Sequence, residues 1–89
     1  MTDEIIDLAR SRGVVTAEVV ARILGVHPRK IQRLSASGEL PFQYMQIGRE
    51  YRYPLAQVNR YLADHGMAPY SDDDVAALEA KIVADRHAS

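Results

Sequence analysis

Apolar residues at helical spacing predict a short helix near the start of the chain. Val20, Ile23 and Leu24 stand at positions i, i+3 and i+4, which is the pattern of one buried helix face. Thr16 is suited to cap the first turn of this helix, and Gly25 is suited to end it in a left-handed conformation. The pattern therefore predicts a helix between these two residues.

A second helix is predicted directly after the turn that Gly25 begins. His27 stands at the N-cap position, and Pro28 fits the first helical position because its missing N–H is not needed there. Ile31 and Leu34 are three residues apart and anchor the helix to a core. The rest of its surface is polar or basic and consists of Arg29, Lys30, Gln32, Arg33 and Ser37.

Two short helices around a tight turn, the second basic on its outer side, form the layout of a helix-turn-helix. In that motif the second helix enters the DNA major groove. Arg29 and Arg33 are four residues apart, so both guanidinium groups project from one face and suit contacts to guanine or to phosphate. Gln32 is suited to adenine, and Lys30 to phosphate.

The pattern then changes to that of strands. Residues 42–47 and 51–53 are rich in aromatic and branched side chains, and the polar segment between them predicts a hairpin. A two-residue and a three-residue loop place opposite sets of side chains on the core face. The count of apolar residues favours the three-residue loop, which pairs Ile47 with Tyr51 and Met45 with Tyr53. Gln46 and Arg52 then point away from the core, beside Arg49 at the tip. The tyrosines are expected in the core, because duplex DNA offers no free base faces for stacking.

Further helices are predicted on both sides of this segment. One runs from Thr2 or Asp3 to about Arg12, and another follows Pro54 and ends at Gly66. The last begins at a capping box in residues 71–74 and carries a sparse apolar stripe, which either completes the core or meets a neighbouring molecule: Val75, Leu78 and Ile82.

The predicted fold is mainly α with a small β-hairpin, a winged helix-turn-helix with flanking N- and C-terminal helices. The DNA-binding domain is expected to span residues 1–66, with its core in residues 16–62. Residues 67–89 are expected to form a connector and the C-terminal helix.

The distribution of charge supports this interpretation although the formal net charge is only −1. Residues 10–60 contain nine lysines and arginines against three acidic residues, whereas both ends of the chain are acidic. A locally basic region is typical of phosphate binding.

Composition argues against other classes of function. The chain has no cysteine, and its three histidines lie in separate elements without metal-ligand spacing. Neither a glycine-rich phosphate loop nor a nucleophile elbow is present. We therefore expect no catalytic residues, no metal and no cofactor. No apolar run is long enough to cross a bilayer, so we expect a cytoplasmic protein without a membrane partner.

The stretch from Thr16 to Leu62 resembles the excisionase-like branch of the MerR-type winged-helix proteins. The features that carry the resemblance are Thr16, Glu18, Ala21, Leu24-Gly25-Val26, residues 29–34, Gly38-Glu39-Leu40-Pro41, Ile47-Gly48, Tyr51-Arg52 and Pro54. The resemblance implies that the second helix binds the major groove and the hairpin wing binds the adjacent minor groove. The implied DNA contacts are Pro28, Arg29, Lys30, Gln32 and Arg33 on the helix, Arg49 and Arg52 on the wing, and Thr16 and Ser37 in support.

Excisionases of this kind are small phage or mobile-element proteins without catalytic activity. The resemblance implies binding to double-stranded DNA side by side at repeated sites, bending of that DNA, and a phage integrase as partner, directed toward excision in the cytoplasm of a bacterial host. A small MerR-like transcription regulator or repressor on the same fold is the main alternative. A protein-interaction module that never binds DNA is the alternative from a different class.

Overall fold

The computed structural model describes residues 13–88, and their core is built around four helices and a small antiparallel sheet. The elements are β1 (Val14–Val15), α1 (Ala17–Leu24), α2 (Pro28–Ser37), β2 (Met45–Ile47), β3 (Glu50–Pro54), α3 (Leu55–Asp64) and α4 (Asp72–Ala88). This architecture confirms the mainly helical fold with a β-hairpin wing. The helix predicted for residues 2–12 lies outside the described residues.

The helix boundaries follow the capping residues of the sequence. Thr16 Oγ1 accepts a hydrogen bond from the backbone N–H of Val19 at 3.3 Å, and His27 Nδ1 accepts one from the backbone N–H of Arg29 at 3.1 Å. The predicted N-caps of α1 and α2 are therefore confirmed. Both helices end at glycines with a left-handed backbone, Gly25 and Gly38, and this confirms the predicted end of α1 at Gly25.

The capping box at the start of α4 is also confirmed. The backbone N–H of Asp74 donates to Ser71 Oγ at 3.1 Å, and the backbone N–H of Ser71 donates to the Asp74 carboxylate at 2.9 Å. The hydrogen bonds from Ser71 lower the pKa of the Asp74 carboxyl, because they favour its charged form.

The sheet has the strand order β1-β3-β2 and contains a strand that the sequence analysis did not predict. Val14 and Val15 pair with Pro54 and Tyr53, so the residues before α1 are tied to the strand that leads into α3. The backbone N–H of Leu55 also donates to the Gly13 carbonyl at 2.6 Å. A strand of two residues is too short to show the alternation of apolar and polar residues by which a strand is predicted from sequence.

The predicted register of the hairpin is wrong. Ile47 pairs with Glu50, Gln46 with Tyr51 and Met45 with Arg52, which leaves a two-residue loop of Gly48 and Arg49. Gly48 has a φ of 63°, whereas the backbone of Arg49 has no positive φ. A positive φ at the first loop position alone is the pattern of a type II′ turn, in which glycine is favoured at that position.

This register sends the three tyrosines to the core face and two apolar residues outward. Tyr44 contacts Tyr51 and Tyr53, with ring centroids 5.5 Å and 6.2 Å apart. Met45 and Ile47 are each 40% exposed on the face that Arg52 also occupies. The outward direction of Arg52 agrees with the prediction, but Gln46 stands opposite Tyr51 on the other face.

The core joins all four of the described helices to the sheet. Its largest fully buried side chains come from α1, α2, β3 and α3 and are Val19, Val20, Ile31, Ser35, Tyr53, Val58 and Leu62. Val75 and Ile82 of α4 are buried in the same cluster, and Leu78 packs against it. Of the two roles left open for the α4 stripe, the structure therefore supports completion of the core.

Candidate nucleic-acid interface

The α2 helix is attached to the core by a narrow buried stripe and exposes the rest of its surface. Ile31 and Ser35 are its buried residues, and Leu34 is half-buried. The predicted contact residues on the helix are accordingly exposed, apart from the half-buried Pro28: Arg29, Lys30, Gln32 and Arg33. Arg29 and Arg33 are one helical turn apart, so α2 presents two guanidinium groups on one side.

Ser37, predicted as a supporting contact, lies exposed in the last turn of α2. Its hydroxyl donates to the Leu34 carbonyl at 3.2 Å and so is engaged within its own helix.

The hairpin tip carries the second set of arginines. Arg49 is exposed in the two-residue loop. Arg52 is half-buried, pairs with the Glu50 carboxylate at 2.6 Å, and donates a hydrogen bond to the Tyr51 carbonyl at 3.0 Å. The hairpin thus holds one arginine in solvent at its tip and a second one fixed against β3.

A cleft separates the hairpin from the two helices and brings several predicted residues together. Thr16 at the start of α1, Gln32 of α2, and Arg49 and Arg52 of the hairpin all line it. The other predicted residues of α2 do not line this cleft. The candidate site therefore consists of the cleft and the adjoining exposed face of α2.

A buried hydrogen-bond network joins α2 to the hairpin. Ser35 Oγ donates to the Ile31 carbonyl at 2.8 Å and lies 2.6 Å from the Tyr53 hydroxyl. Because the single hydroxyl proton of Ser35 is used by Ile31, the Tyr53 hydroxyl is the donor to Ser35. The Tyr44 hydroxyl donates to the Ser35 carbonyl at 2.5 Å. Burial raises the pKa of the Tyr53 phenol, because it disfavours the charged form.

The C-terminal helix also reaches the cleft, through a residue that the sequence analysis did not predict. Arg86 lines the cleft and forms an ion pair with Glu18 in the first turn of α1. One turn before the end of α4, Asp85 pairs with Arg22 of α1 at 2.5 Å. In the sequence, Arg86 and His87 mark a basic last turn of α4. That pattern does not predict which other helix the two side chains contact.

Other kinds of site are not found in the described part of the chain. Within residues 13–88 no group of three or more histidine, aspartate or glutamate side chains is placed to hold a metal ion. None of the helices in that range combines the length and the hydrophobicity needed to cross a membrane.

A family model described as a helix-turn-helix domain matches residues 14–66, which is more than half of the chain. The chain belongs to this helix-turn-helix domain family. The family is a DNA-binding domain found in excisionase-like proteins, and such domains are typically not enzymes. Membership indicates sequence-specific DNA binding. Comparisons with curated proteins and with solved structures found no match.

In the terms of the helix-turn-helix family, α1 is the first helix, α2 is the recognition helix, and β2 and β3 form the wing. The matched range begins at β1 and ends just after α3, so the family domain contains every element that borders the cleft except α4. The C-terminal helix is an addition to that domain.

Proposed function

We propose that this protein is a sequence-specific, DNA-bending excisionase, which binds DNA cooperatively and directs a phage integrase toward excision in the cytoplasm of its bacterial host. In this proposal the protein has no catalytic step of its own. It acts by holding DNA in a curved shape that the integrase can use.

The observation that supports DNA binding most directly is the cleft between the recognition helix and the wing. When α2 lies in the major groove of a duplex, one phosphate backbone separates that groove from the adjacent minor groove, which the wing would reach. The cleft lies between α2 and the wing, with Gln32 of α2 on one side and Arg49 and Arg52 of the wing on the other. The cleft is therefore a suitable place for that backbone.

The proposed roles of the side chains follow from their chemistry. Arg29 and Arg33 contact guanine or phosphate, Gln32 contacts adenine, and Lys30 contacts phosphate. Pro28, Thr16 and Ser37 support the contacts at the helix ends.

Arg49 and Arg52 enter or border the minor groove, where a narrow groove attracts arginine electrostatically. Contacts in two adjacent grooves would stabilise a bend, whose elastic cost for a short site is of the order of 1–6 kcal/mol. Side-by-side copies on neighbouring sites would share that cost and add affinity that a small single domain lacks.

The test of this proposal is a gel-shift titration at two salt concentrations, with duplexes from the integrase attachment site and from the promoters around the gene. A ladder of successive complexes on the attachment-site duplex alone is expected. A single complex on a promoter duplex would contradict the excisionase role and favour a small MerR-like regulator. A lack of any salt-sensitive shift would contradict DNA binding altogether and favour a protein-interaction module.

Replacing Arg33 with alanine tests the recognition helix. The substitution is expected to weaken binding to the cognate duplex by about 1–3 kcal/mol and to relax the preference for one base pair, because a bidentate base contact is lost. Arg60→Ala is the matched control, since Arg60 is an exposed arginine of α3 beside Phe42 and Tyr61, outside the cleft. Equal binding by both variants would remove Arg33 from the base contacts.

A further inference from the structure

We infer that Arg86, in the last turn of α4, is a further DNA contact, which binds a backbone phosphate in the cleft between the recognition helix and the wing. The inference rests on the proposed DNA binding and extends it to an element outside the family domain. The C-terminal helix then has two roles, one in the core and one at the DNA.

The position of Arg86 is fixed by the packing of α4 on α1. Val75 and Ile82 bury one side of α4 in the core, and Asp85 pairs with Arg22 on α1. These contacts pack the last turn of α4 on α1, and Arg86 reaches Glu18 in the first turn of α1, where it lines the same cleft as Gln32 and Arg49. A long basic side chain is therefore held at the place proposed for the phosphate backbone.

The charges in the cleft explain how Arg86 can be held there before DNA arrives. Two carboxylates line the cleft, Glu18 and Glu50, and each pairs with an arginine that also lines it: Arg86 and Arg52. In the Glu18–Arg86 pair the two side chains are 38% and 63% exposed, and ion pairs this exposed contribute little to stability. A backbone phosphate, backed by the charge of the whole duplex, can therefore displace the Glu18 carboxylate from Arg86.

The pair is not needed to attach α4 to the domain. The buried residues Val75 and Ile82 already do so, and both precede Arg86 along the helix. Arg86 thus lies at the cleft one helical turn beyond Ile82, the last of the two buried residues of α4.

The test compares four full-length proteins: the unchanged chain, Arg86→Ala, Glu18→Gln and the double variant. DNA affinity is measured on one attachment-site duplex over a salt series. Arg86→Ala is expected to weaken binding at low salt and to lower the salt slope by about one, so that its deficit shrinks about three- to fourfold between about 50 and 200 mM salt. Glu18→Gln is expected to strengthen binding, because it removes the competing carboxylate.

The double variant separates a phosphate contact from a purely structural pair. If Arg86 binds phosphate, Arg86→Ala still weakens binding in the Glu18→Gln background. If Arg86 only neutralises Glu18, the double variant binds like Glu18→Gln, and the inference is overturned. Lys81→Ala is the matched control on the same helix, since Lys81 does not line the cleft and its loss is expected to leave the salt slope unchanged.

Arg86→Lys keeps the inference testable if the alanine variant folds poorly. Lysine retains the positive charge and is expected to restore the salt slope, although its affinity falls below that of arginine because the planar fork is lost. A lysine variant with the reduced slope would contradict the phosphate contact.

If the unchanged protein shifts no duplex, the proposed function itself fails. If the unchanged protein binds DNA but the slope is insensitive to Arg86, only the present inference fails.

Discussion

At the scale of single residues, the side chain that does most to orient the interface is the buried Ser35. Its hydroxyl bonds to Ile31 within α2 and to Tyr53 of the wing, and its carbonyl receives the Tyr44 hydroxyl. Every buried polar side-chain atom in the described residues has a hydrogen-bond partner. The recognition helix and the wing are thus joined by a fully satisfied polar network, which specifies one relative orientation.

The two hydroxyls of this network are not equivalent, and mutation should reveal the difference. Ser35→Ala leaves the Tyr53 hydroxyl buried without a partner and is expected to lower the free energy of unfolding by about 1–3 kcal/mol. Tyr53→Phe leaves Ser35 bonded to the Ile31 carbonyl, so its expected cost is only about 0.5–1.5 kcal/mol. Urea denaturation followed by circular dichroism measures both values.

Ser37→Ala is the control for the Ser35 substitution. Ser37 is an exposed serine of the same helix, and its hydroxyl also bonds to a helix carbonyl. Its loss is expected to change stability little. A Tyr53→Phe variant less stable than Ser35→Ala would show that the phenol, rather than the serine, supports the network.

Sequence analysis predicted the residues whose roles are local. The caps Thr16 and His27 and the capping box of α4 depend on neighbours within a few positions, and all were predicted correctly. The burial of Tyr53 was also predicted, because duplex DNA offers no free base face on which a tyrosine could stack. Ser35 was missed because its hydroxyl partner Tyr53 lies 18 positions along the chain, and no local pattern marks that contact.

At the scale of elements, the hairpin shows where counting apolar residues fails. The prediction grouped Met45 and Ile47 with the tyrosines to maximise the apolar content of one face. In the structure the tyrosines form that face without them, and the Gly48 turn sets the register. The turn geometry, with glycine at the first loop position, outweighs the modest gain from burying two more side chains near the tip of a short ribbon.

The C-terminal helix is an element whose contribution to stability can be measured with adjacent residues. Ile82 is buried in the core, whereas Val83 is 49% exposed on the same helix. Ile82→Ala is expected to lower the free energy of unfolding by about 2–5 kcal/mol, because it removes buried methyl groups and leaves a cavity. Val83→Ala, the matched control, is expected to change it by less than about 0.5 kcal/mol.

Thermal and urea unfolding of the two variants provide the measurement. Equal stability of the two would show that α4 is not held in the core. A large loss in Val83→Ala accompanied by a change in molecular mass in solution would instead indicate that the outer face of α4 is an interface between copies.

At the scale of the whole molecule, the acidic C-terminal region partly neutralises the basic centre within the same chain. Asp85 near the end of α4 pairs with Arg22 of α1. The two ends of α4 differ in charge, with an acidic first turn and a basic last turn. Within residues 13–88, no ion pair joins α4 to a basic residue of the recognition helix or of the wing tip. In the described residues, the positive charge that remains for DNA therefore lies on the recognition helix and at the wing tip, although the net charge of the chain is −1.

If this concentration of charge binds two adjacent grooves, Arg49 at the wing tip should affect the shape of the DNA as well as the affinity. Arg49→Ala is expected to lower the salt slope by about one and to reduce the bend of the duplex, because the minor-groove end of the interface loses its charge. Arg49 is exposed in a loop, so its loss should leave the fold unchanged. Circular-permutation gel mobility measures the bend, and Arg60→Ala controls for the loss of any exposed arginine. An Arg49→Ala protein with an unchanged slope and bend would exclude the wing tip from the interface and leave the recognition helix to bind DNA alone.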